Sequence, residues 1–321
     1  MAVRQYDIVV IGGGPAGLAA AISAFQNGVK SILVLEREAR LGGILNQCIH
    51  TGFGLHVFHE ELTGPEYAFR FIQELTELGI AVQTRATVLT VHAGHLEKWV
   101  EYADAEHGFC RVKTKAVVFA MGCRERTRYE AGIPGGRPAG ILTAGTAQRY
   151  INIHGKKIGR RVLILGSGDI GLIMSRRLVL EGAHVLAVVE KAAAPGGLYR
   201  NIVQCLQDFD IPLLLSATVT QIIGARRVEG VIVSTADGKC IFYECDTLLL
   251  SVGLIPLTEL AENAGILPEK PYGGIPVSDG METACKGIFA CGNVTGVHDL
   301  VDHVTEEARV AGRNAALFLR P

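Results

Sequence analysis

Apolar residues in this chain fall into short, nearly unbroken runs separated by glycine, proline and charge. Residues 7–11 (Asp-Ile-Val-Val-Ile) and 32–35 (Ile-Leu-Val-Leu) are two such runs, as are 116–122, 161–165, 184–189, 247–253 and 287–293. Continuous runs of this length predict strands buried on both faces of a parallel sheet. Between the first two runs, 18–24 (Leu-Ala-Ala-Ala-Ile-Ser-Ala) predicts a helix, ended by Asn27-Gly28. A second helix is predicted over 170–181, stopped by Gly182, and a third from Gly64-Pro65 to Leu78, closed by Gly79. A last helix is predicted over 305–319. Shorter mixed segments at 87–91, 96–102 and 109–112 predict a β-meander, and 218–223, 228–234 and 240–244 predict another. Residues 44–58 mix polar and apolar positions without a period and read as irregular.

The first helix is entered through Gly12-Gly13-Gly14-Pro15-Ala16-Gly17, and the strand after it ends in Glu36. Strand, Gly-x-Gly-x-x-Gly, helix, strand and acid together form a dinucleotide-binding fingerprint in its required context. Gly12 permits the tight turn, Gly14 lets backbone approach a pyrophosphate on the helix N-terminus, and Gly17 allows close helix–strand packing. Glu36 is placed to accept hydrogen bonds from a ribose. A glycine-rich turn of some other α/β protein is the competing reading, and the complete context disfavours it. The same order then starts again: Gly166-Ser167-Gly168-Asp169-Ile170-Gly171, a helix, a strand, and Glu190. Gly42-Gly43 stand six positions after Glu36, and Gly196-Gly197 six after Glu190. A whole dinucleotide-binding unit is therefore duplicated.

Composition narrows the class. A length of 321 residues suits about two domains, and 49% hydrophobic with 20% charged residues suits a globular α/β protein. A net charge of −1 gives no electrostatic case for nucleic acid or an anionic membrane. No apolar run reaches the ~18 residues of a transmembrane helix, and no leader is read before the first strand. The expected location is cytoplasmic. The eight cysteines form no Cys-x-x-Cys pair, and neither they nor the ten histidines show metal-site spacing, so no metal is expected.

Two fingerprints, runs ending in Ala-Met-Gly and Ser-Val-Gly, and a late Phe289-Ala290-Cys291-Gly292-Asn293 resemble the two-dinucleotide-binding-domain flavoproteins, which include thioredoxin reductase, glutathione reductase and NADH oxidases. The resemblance covers nearly the whole chain. It implies an α/β fold with two Rossmann-like domains, the NAD domain (123–251) inserted into an FAD domain (1–122 and 252–321). It further implies FAD contacts at Gly12, Gly14, Pro15, Ala16, Gly17, Glu36, Arg37, Gly42, Gly43, Ile44, Gln47, Val88, Gly122, Gly292, Asn293, Asp302, His303 and Val304. Nicotinamide-cofactor contacts are implied at Gly166, Gly168, Asp169, Ile170, Gly171, Glu190, Lys191 and Gly253. Closer still, Gly43-Ile44-Leu45-Asn46-Gln47-Cys48, Gly122-Cys123-Arg124-Glu125-Arg126-Thr127-Arg128, residues 137–148, and Cys291-Gly292-Asn293 with His298-Asp299-Leu300-Val301-Asp302 resemble one branch. That branch comprises small flavoprotein subunits similar to those of dye-linked proline dehydrogenase, opine oxidase, hydrogen cyanide synthase and sarcosine oxidase, which accompany a second flavoprotein.

Two departures matter. Residues 137–150 contain no cysteine where thioredoxin reductases carry a pair, and only Cys48 stands where glutathione reductases carry theirs. Asn293 replaces the family's usual Asp, and can still hydrogen-bond a hydroxyl. Glu190 favours NADH over NADPH, because a carboxylate accepts from ribose hydroxyls and repels a 2′-phosphate; Lys191 is the dissenting residue. The expectation is an FAD-dependent oxidoreductase passing hydride from NADH to FAD and electrons on to an acceptor or a partner flavoprotein dehydrogenase. One alternative is a stand-alone disulfide, persulfide or peroxide reductase using Cys48; another is a non-catalytic FAD-binding subunit of a dehydrogenase complex. A homo- or a hetero-oligomer fits the expectation.

Overall fold

The structure is a computed structural model that describes residues 4–94 and 97–320. The chain divides into two compact units, Met1–Arg124 with Ile255–Pro321, and Glu125–Leu254.

In the first unit, Ala81–Gln83, Ile32–Leu35, Arg4–Ile11 and Gly108–Phe119 pair in that order as parallel strands, and Ile288–Ala290 adds to the last of them, also parallel. The continuous apolar runs have a direct physical reason. Ile8, Val10, Ile32, Val34, Ala116 and Val118 face one core, with the helices Pro15–Gln26, Gly64–Glu77 and Val301–Phe318. Val9, Ile11, Leu33, Leu35, Val117 and Phe119 face a second core, with Val91, Val100 and Tyr102 of the meander. Alternate side chains enter opposite cores, so every position must be apolar. The alanine-rich first helix is buried against the last one: a Cβ on Gly312 would lie 2.1 Å from Ala20 O, and Ser23 Oγ donates to Arg309 O at 2.7 Å.

The second unit repeats the scheme with Ile141–Thr143, Thr247–Leu250, Arg161–Leu165, His184–Val189 and Leu213–Leu214, all parallel. Its helices Ala144–Asn152, Asp169–Leu180 and Tyr199–Cys205 share one core with the sheet. The antiparallel strands Ala217–Ile223, Gly230–Thr235 and Cys240–Tyr243 cover the other face.

Several expected elements are corrected. The segments 109–112 and 116–122 are one strand, Gly108–Phe119. Its polar centre is accommodated because the partner on one edge changes there, from Lys98–Asp104 to Ile288–Ala290. Thr114, 1% exposed, donates to Asp7 O or Ala116 O, and Lys115 pairs with Asp7. The first meander is thus continuous with the main sheet, whereas the second is a separate sheet. The expected strand 96–102 is Lys98–Asp104, and Leu96 lies outside the described residues. Residues 44–58 are not wholly irregular: they hold most of a 3₁₀ turn, Gly43–Gln47, and a strand, Thr51–Phe53, paired with Leu62–Thr63. The last helix starts at Val301, four residues earlier than its apolar pattern indicates.

Candidate functional site

Each fingerprint folds as a turn whose glycines have separable tasks. Gly12 has φ +110° and its Cβ would lie 2.3 Å from Ala120 O; Gly17's would lie 1.8 Å from Gly12 O. These two glycines are dictated by the protein's own packing. Gly14 differs. It is the N-cap of Pro15–Gln26 with φ −78° and ψ −174°, open to any residue, and an added Cβ meets nothing nearer than Gly43 Cα at 3.9 Å. No side chain caps this helix start. Its amides face an open cradle, the arrangement that takes a phosphate.

The second fingerprint has the same division. Gly166 (φ +100°) would place a Cβ 1.9 Å from Ser251 O, and Gly171 one 2.5 Å from Gly166 O. Gly168 is the N-cap of Asp169–Leu180, with φ −64° and ψ 162°, and its Cβ would meet only Ser251 Oγ at 3.8 Å. Again no side chain caps the helix.

The two acids close their turns in parallel ways. Glu36, 6% exposed, accepts from Gly13 N at 2.7 Å (Oε2) and Glu38 N at 2.7 Å (Oε1). Glu190 accepts from Ser167 N at 2.9 Å and Ser167 Oγ at 2.7 Å (both Oε2), and from Ala192 N at 2.8 Å (Oε1). Burial pushes the Glu190 carboxyl upward, but donors from Ala192, Ser167 and the Lys191 backbone outweigh it and hold the pKa below the usual glutamate value. The carboxylate is therefore charged at neutral pH. Arg37 and Lys191, which follow the acids, are exposed.

The other residues expected around the first cradle converge on it only in part. Gly42 N donates to Gly13 O at 2.8 Å, and Gly43 packs on Gly14, so the double glycine lies against the fingerprint. Ile44 is exposed and Gln47 buried in the 3₁₀ turn. A Cβ on Gly292 would meet Ala16 Cβ at 2.8 Å and Val304 Cγ1 at 3.1 Å, which joins the fingerprint helix, the Gly-Asn turn and the last helix. Asn293 Oδ1 accepts from His298 N at 3.0 Å and its Nδ2 donates to Cys123 Sγ at 3.6 Å. Asp302, 2% exposed, accepts from Val57 N at 3.3 Å. His303 stacks with His56, ring centroids 6.5 Å apart. Gly122 has φ +71° and open space around it. Val88 is half-buried in Ala86–Ala93. In the second unit Asp169 Oδ1 accepts from Leu198 N at 2.8 Å and Asn201 Nδ2 at 2.7 Å, Ile170 is half-buried, and Gly253 O accepts from Arg126 N at 2.9 Å.

Cys48 follows the 3₁₀ turn, 8% exposed, with Sγ 3.4 Å from Ile44 O. Burial pushes its thiol up to about 12. No disulfide joins any of the eight cysteines, all of which lie among the described residues. No group of three or more His, Cys, Asp or Glu in metal-binding geometry occurs among the described residues. Among those residues, too, no helix is long and apolar enough to cross a membrane.

Two contacts of the candidate site escaped the sequence. Glu307 accepts from Gly292 N at 3.2 Å and lies 3.1 Å from His298 Nε2. A glutamate within an amphipathic helix reads as a solvated position, so nothing marked it. Ser167, the free position of the second Gly-x-Gly, binds Glu190 through its hydroxyl; comparing it with Gly13 was the available signal.

Paired glycine cradles at helix N-termini, each backed by an acid on a parallel sheet, define the class: a protein with two Rossmann-like dinucleotide-binding units. The family pyridine nucleotide-disulphide oxidoreductase matches residues 6–315, and the chain belongs to it. The family binds FAD and a pyridine nucleotide, and this chain is an FAD-dependent oxidoreductase. It is 30% identical over 343 residues to an opine oxidase subunit of Agrobacterium tumefaciens (strain Ach5), covering 97% of this chain and 65% of that protein. The chain thus spans just under two thirds of that relative's length. It is 26% identical over 302 residues to thioredoxin reductase of Bacillus subtilis (strain 168), covering 91% of this chain and 87% of that one. The fold is similar to the crystal structure of T. acidophilum thioredoxin reductase, with a TM-score of 0.80, 24% identity and 98% coverage of both chains. It is also similar to L-proline dehydrogenase from P. horikoshii, with a TM-score of 0.69 and 18% identity, covering 97% of this chain and 55% of that one.

Proposed function

We propose that the first unit holds one non-covalent FAD, that the second binds NADH in preference to NADPH, and that electrons leave to a partner flavoprotein dehydrogenase. The observation that carries the two-nucleotide reading is the open face of Gly14 and Gly168. Both positions are glycine, yet neither the backbone angles nor neighbouring atoms of the protein demand it. A ligand's close approach does.

The residues have definite tasks in this reading. The amides at Gly14, Pro15's successor Ala16 and Gly17 bind the pyrophosphate of FAD, and Glu36 takes its ribose. Gly42, Gly43, Ile44, Gln47, Val88 and Gly122 line the remaining nucleotide and flavin path, with Arg37 beside the ribose. Glu307 holds the Gly292–Asn293 turn so that Asn293 can meet the ribityl hydroxyls. Asp302, His303 and Val304 begin a helix whose N-terminal amides favour negative charge. Bound FAD supplies two-electron chemistry between a reduced nicotinamide and an acceptor; the protein's part is orientation and exclusion of water. In the second unit Gly166, Gly168, Asp169, Ile170 and Gly171 form the pyrophosphate turn, Glu190 takes the ribose, and Lys191 and Gly253 flank it. Similarity to part of an opine oxidase, together with the lack of a Cys-x-x-Cys pair, supports a protein partner as acceptor. Anaerobic titration with NADH and then NADPH tests the donor. Steady-state assays with and without a co-purifying partner test the acceptor.

A thiol exit through Cys48 is the competing reading, and the site disfavours it. A thiol raised to about 12 is protonated at neutral pH, whereas the thiolate is the reactive form. Disulfide exchange also needs a second thiol to resolve the mixed disulfide. Cys48→Ser is therefore expected to keep FAD, keep reduction by NADH, and retain at least about half of the turnover with an artificial dye. Turnover abolished while flavin reduction survives would make Cys48 the electron exit.

A further inference from the structure

The two acids are not equivalent, and the difference lies in Ser167. A carboxylate offers about four acceptor sites, two on each oxygen. Glu36 gives one site on Oε2 to Gly13 N and one on Oε1 to Glu38 N, which leaves one on each oxygen. Glu190 gives its Oε1 site to Ala192 N in the same way, but its Oε2 receives both the amide and the hydroxyl of Ser167. The direction of that hydroxyl is fixed. Gly196 N donates to Ser167 Oγ at 2.9 Å, so the oxygen accepts from the loop and spends its only hydrogen on the carboxylate. Ser167 is fully buried, and water offers its hydroxyl no alternative. Oε2 of Glu190 already accepts two hydrogen bonds, and its remaining acceptor capacity lies on Oε1, beside the Lys191 amide.

We propose that Ser167 is a specificity-determining residue that restricts Glu190 to one ribose hydroxyl and thereby weakens the preference for the unphosphorylated nucleotide. This rests on the reading of Glu190 as the ribose ligand. The first unit, with Gly13 at the matching place, keeps one acceptor site on each oxygen of Glu36. The second unit gives up one acceptor to anchor the loop at Gly196, which suits a nucleotide that must enter and leave in every cycle. The charge of Glu190 still opposes a 2′-phosphate, but the gain from the second ribose hydroxyl is absent.

The test is calorimetric titration of the FAD-loaded protein with NAD+ and NADP+, for wild type, Ser167→Ala, Ser167→Gly and Glu190→Gln. One additional hydrogen bond to a charged acceptor corresponds to about tenfold in affinity. Ser167→Ala is expected to bind NAD+ about tenfold more tightly while NADP+ changes by less than about threefold. Ser167→Gly, which copies the first unit, is expected to show the same direction. Equal weakening of both nucleotides overturns the proposal, because Ser167 would then only anchor the loop. Glu190→Gln separates the two ideas. If it weakens NAD+ but Ser167→Ala does not tighten it, the role of Ser167 fails alone. If Glu190→Gln leaves NAD+ binding unchanged, the ribose assignment fails and the proposal with it.

Discussion

A Gly14→Val variant is expected to fold as the FAD-stripped wild type does and to purify colourless, with no detectable NADH oxidation. The reason is geometric. Gly14 has φ −78° and ψ −174°, which valine adopts without strain, and a Cβ there touches only Gly43 Cα at 3.9 Å. The protein itself leaves room for the Cβ; a pyrophosphate held on the same amides, as proposed, would not. Gly17→Ala is the control with the opposite outcome. Its Cβ would stand 1.8 Å from Gly12 O, inside van der Waals contact, so helix and strand must separate. A loss on the order of 3 kcal/mol or more is expected, with little folded protein recovered. The comparison must use flavin-free wild type, because a tightly bound cofactor itself raises the Tm. Absorbance near the flavin band and far-UV circular dichroism read the two effects separately. A yellow, active Gly14→Val protein would show that the first fingerprint has been assigned wrongly.

Much of the architecture was legible because single residues and their spacing carry backbone consequences. Gly12 and Gly166 announce left-handed turns, and the structure gives them φ +110° and +100°. Residues 8–11 and 162–165 had to be apolar at every position because the sheets have a core on each face. What stayed hidden depends on tertiary partners. Lys113, Thr114 and Lys115 read as a break between strands, yet Gly108–Phe119 runs through them because Thr114 and Lys115 both reach Asp7. Asp299, Asp302 and His303 interrupt Leu300, Val301 and Val304, so the apolar pattern does not show the start of the last helix; Asp302 is buried there and accepts from Val57 N. Ile141–Thr143, Ala144–Asn152 and Tyr199–Cys205 were assigned no element, since short segments acquire their structure from the sheet or helix they join. Among the candidate site residues, the glycines and acids followed from spacing. The contacts of Ser167 and Glu307 required coordinates.

Glu190→Arg is expected to reverse the nucleotide preference, and by a large factor. In the proposed reading the wild-type carboxylate accepts from ribose and repels a 2′-phosphate; its donors Ala192 N and Ser167 keep it ionised at neutral pH. Removing the acceptor weakens NADH by the worth of a charge-assisted hydrogen bond, about 1.5–3 kcal/mol. A guanidinium in its place gains a similar amount with the 2′-phosphate of NADPH. The two changes add, so the ratio of kcat/KM for NADH to that for NADPH should fall by roughly 10²–10⁴. The substitution has a second consequence that the structure makes explicit. Glu190 ties the turn at Ser167 to the start of the next loop at Ala192, and arginine cannot accept those hydrogen bonds. A lower Tm is therefore expected alongside the switch. Glu190→Gln, which retains one acceptor oxygen without the charge, separates the effects: it should recover part of the Tm but only a small part of the NADH preference. A wild-type protein whose flavin is reduced faster by NADPH than by NADH would remove Glu190 from its assigned role, whatever the variants then do.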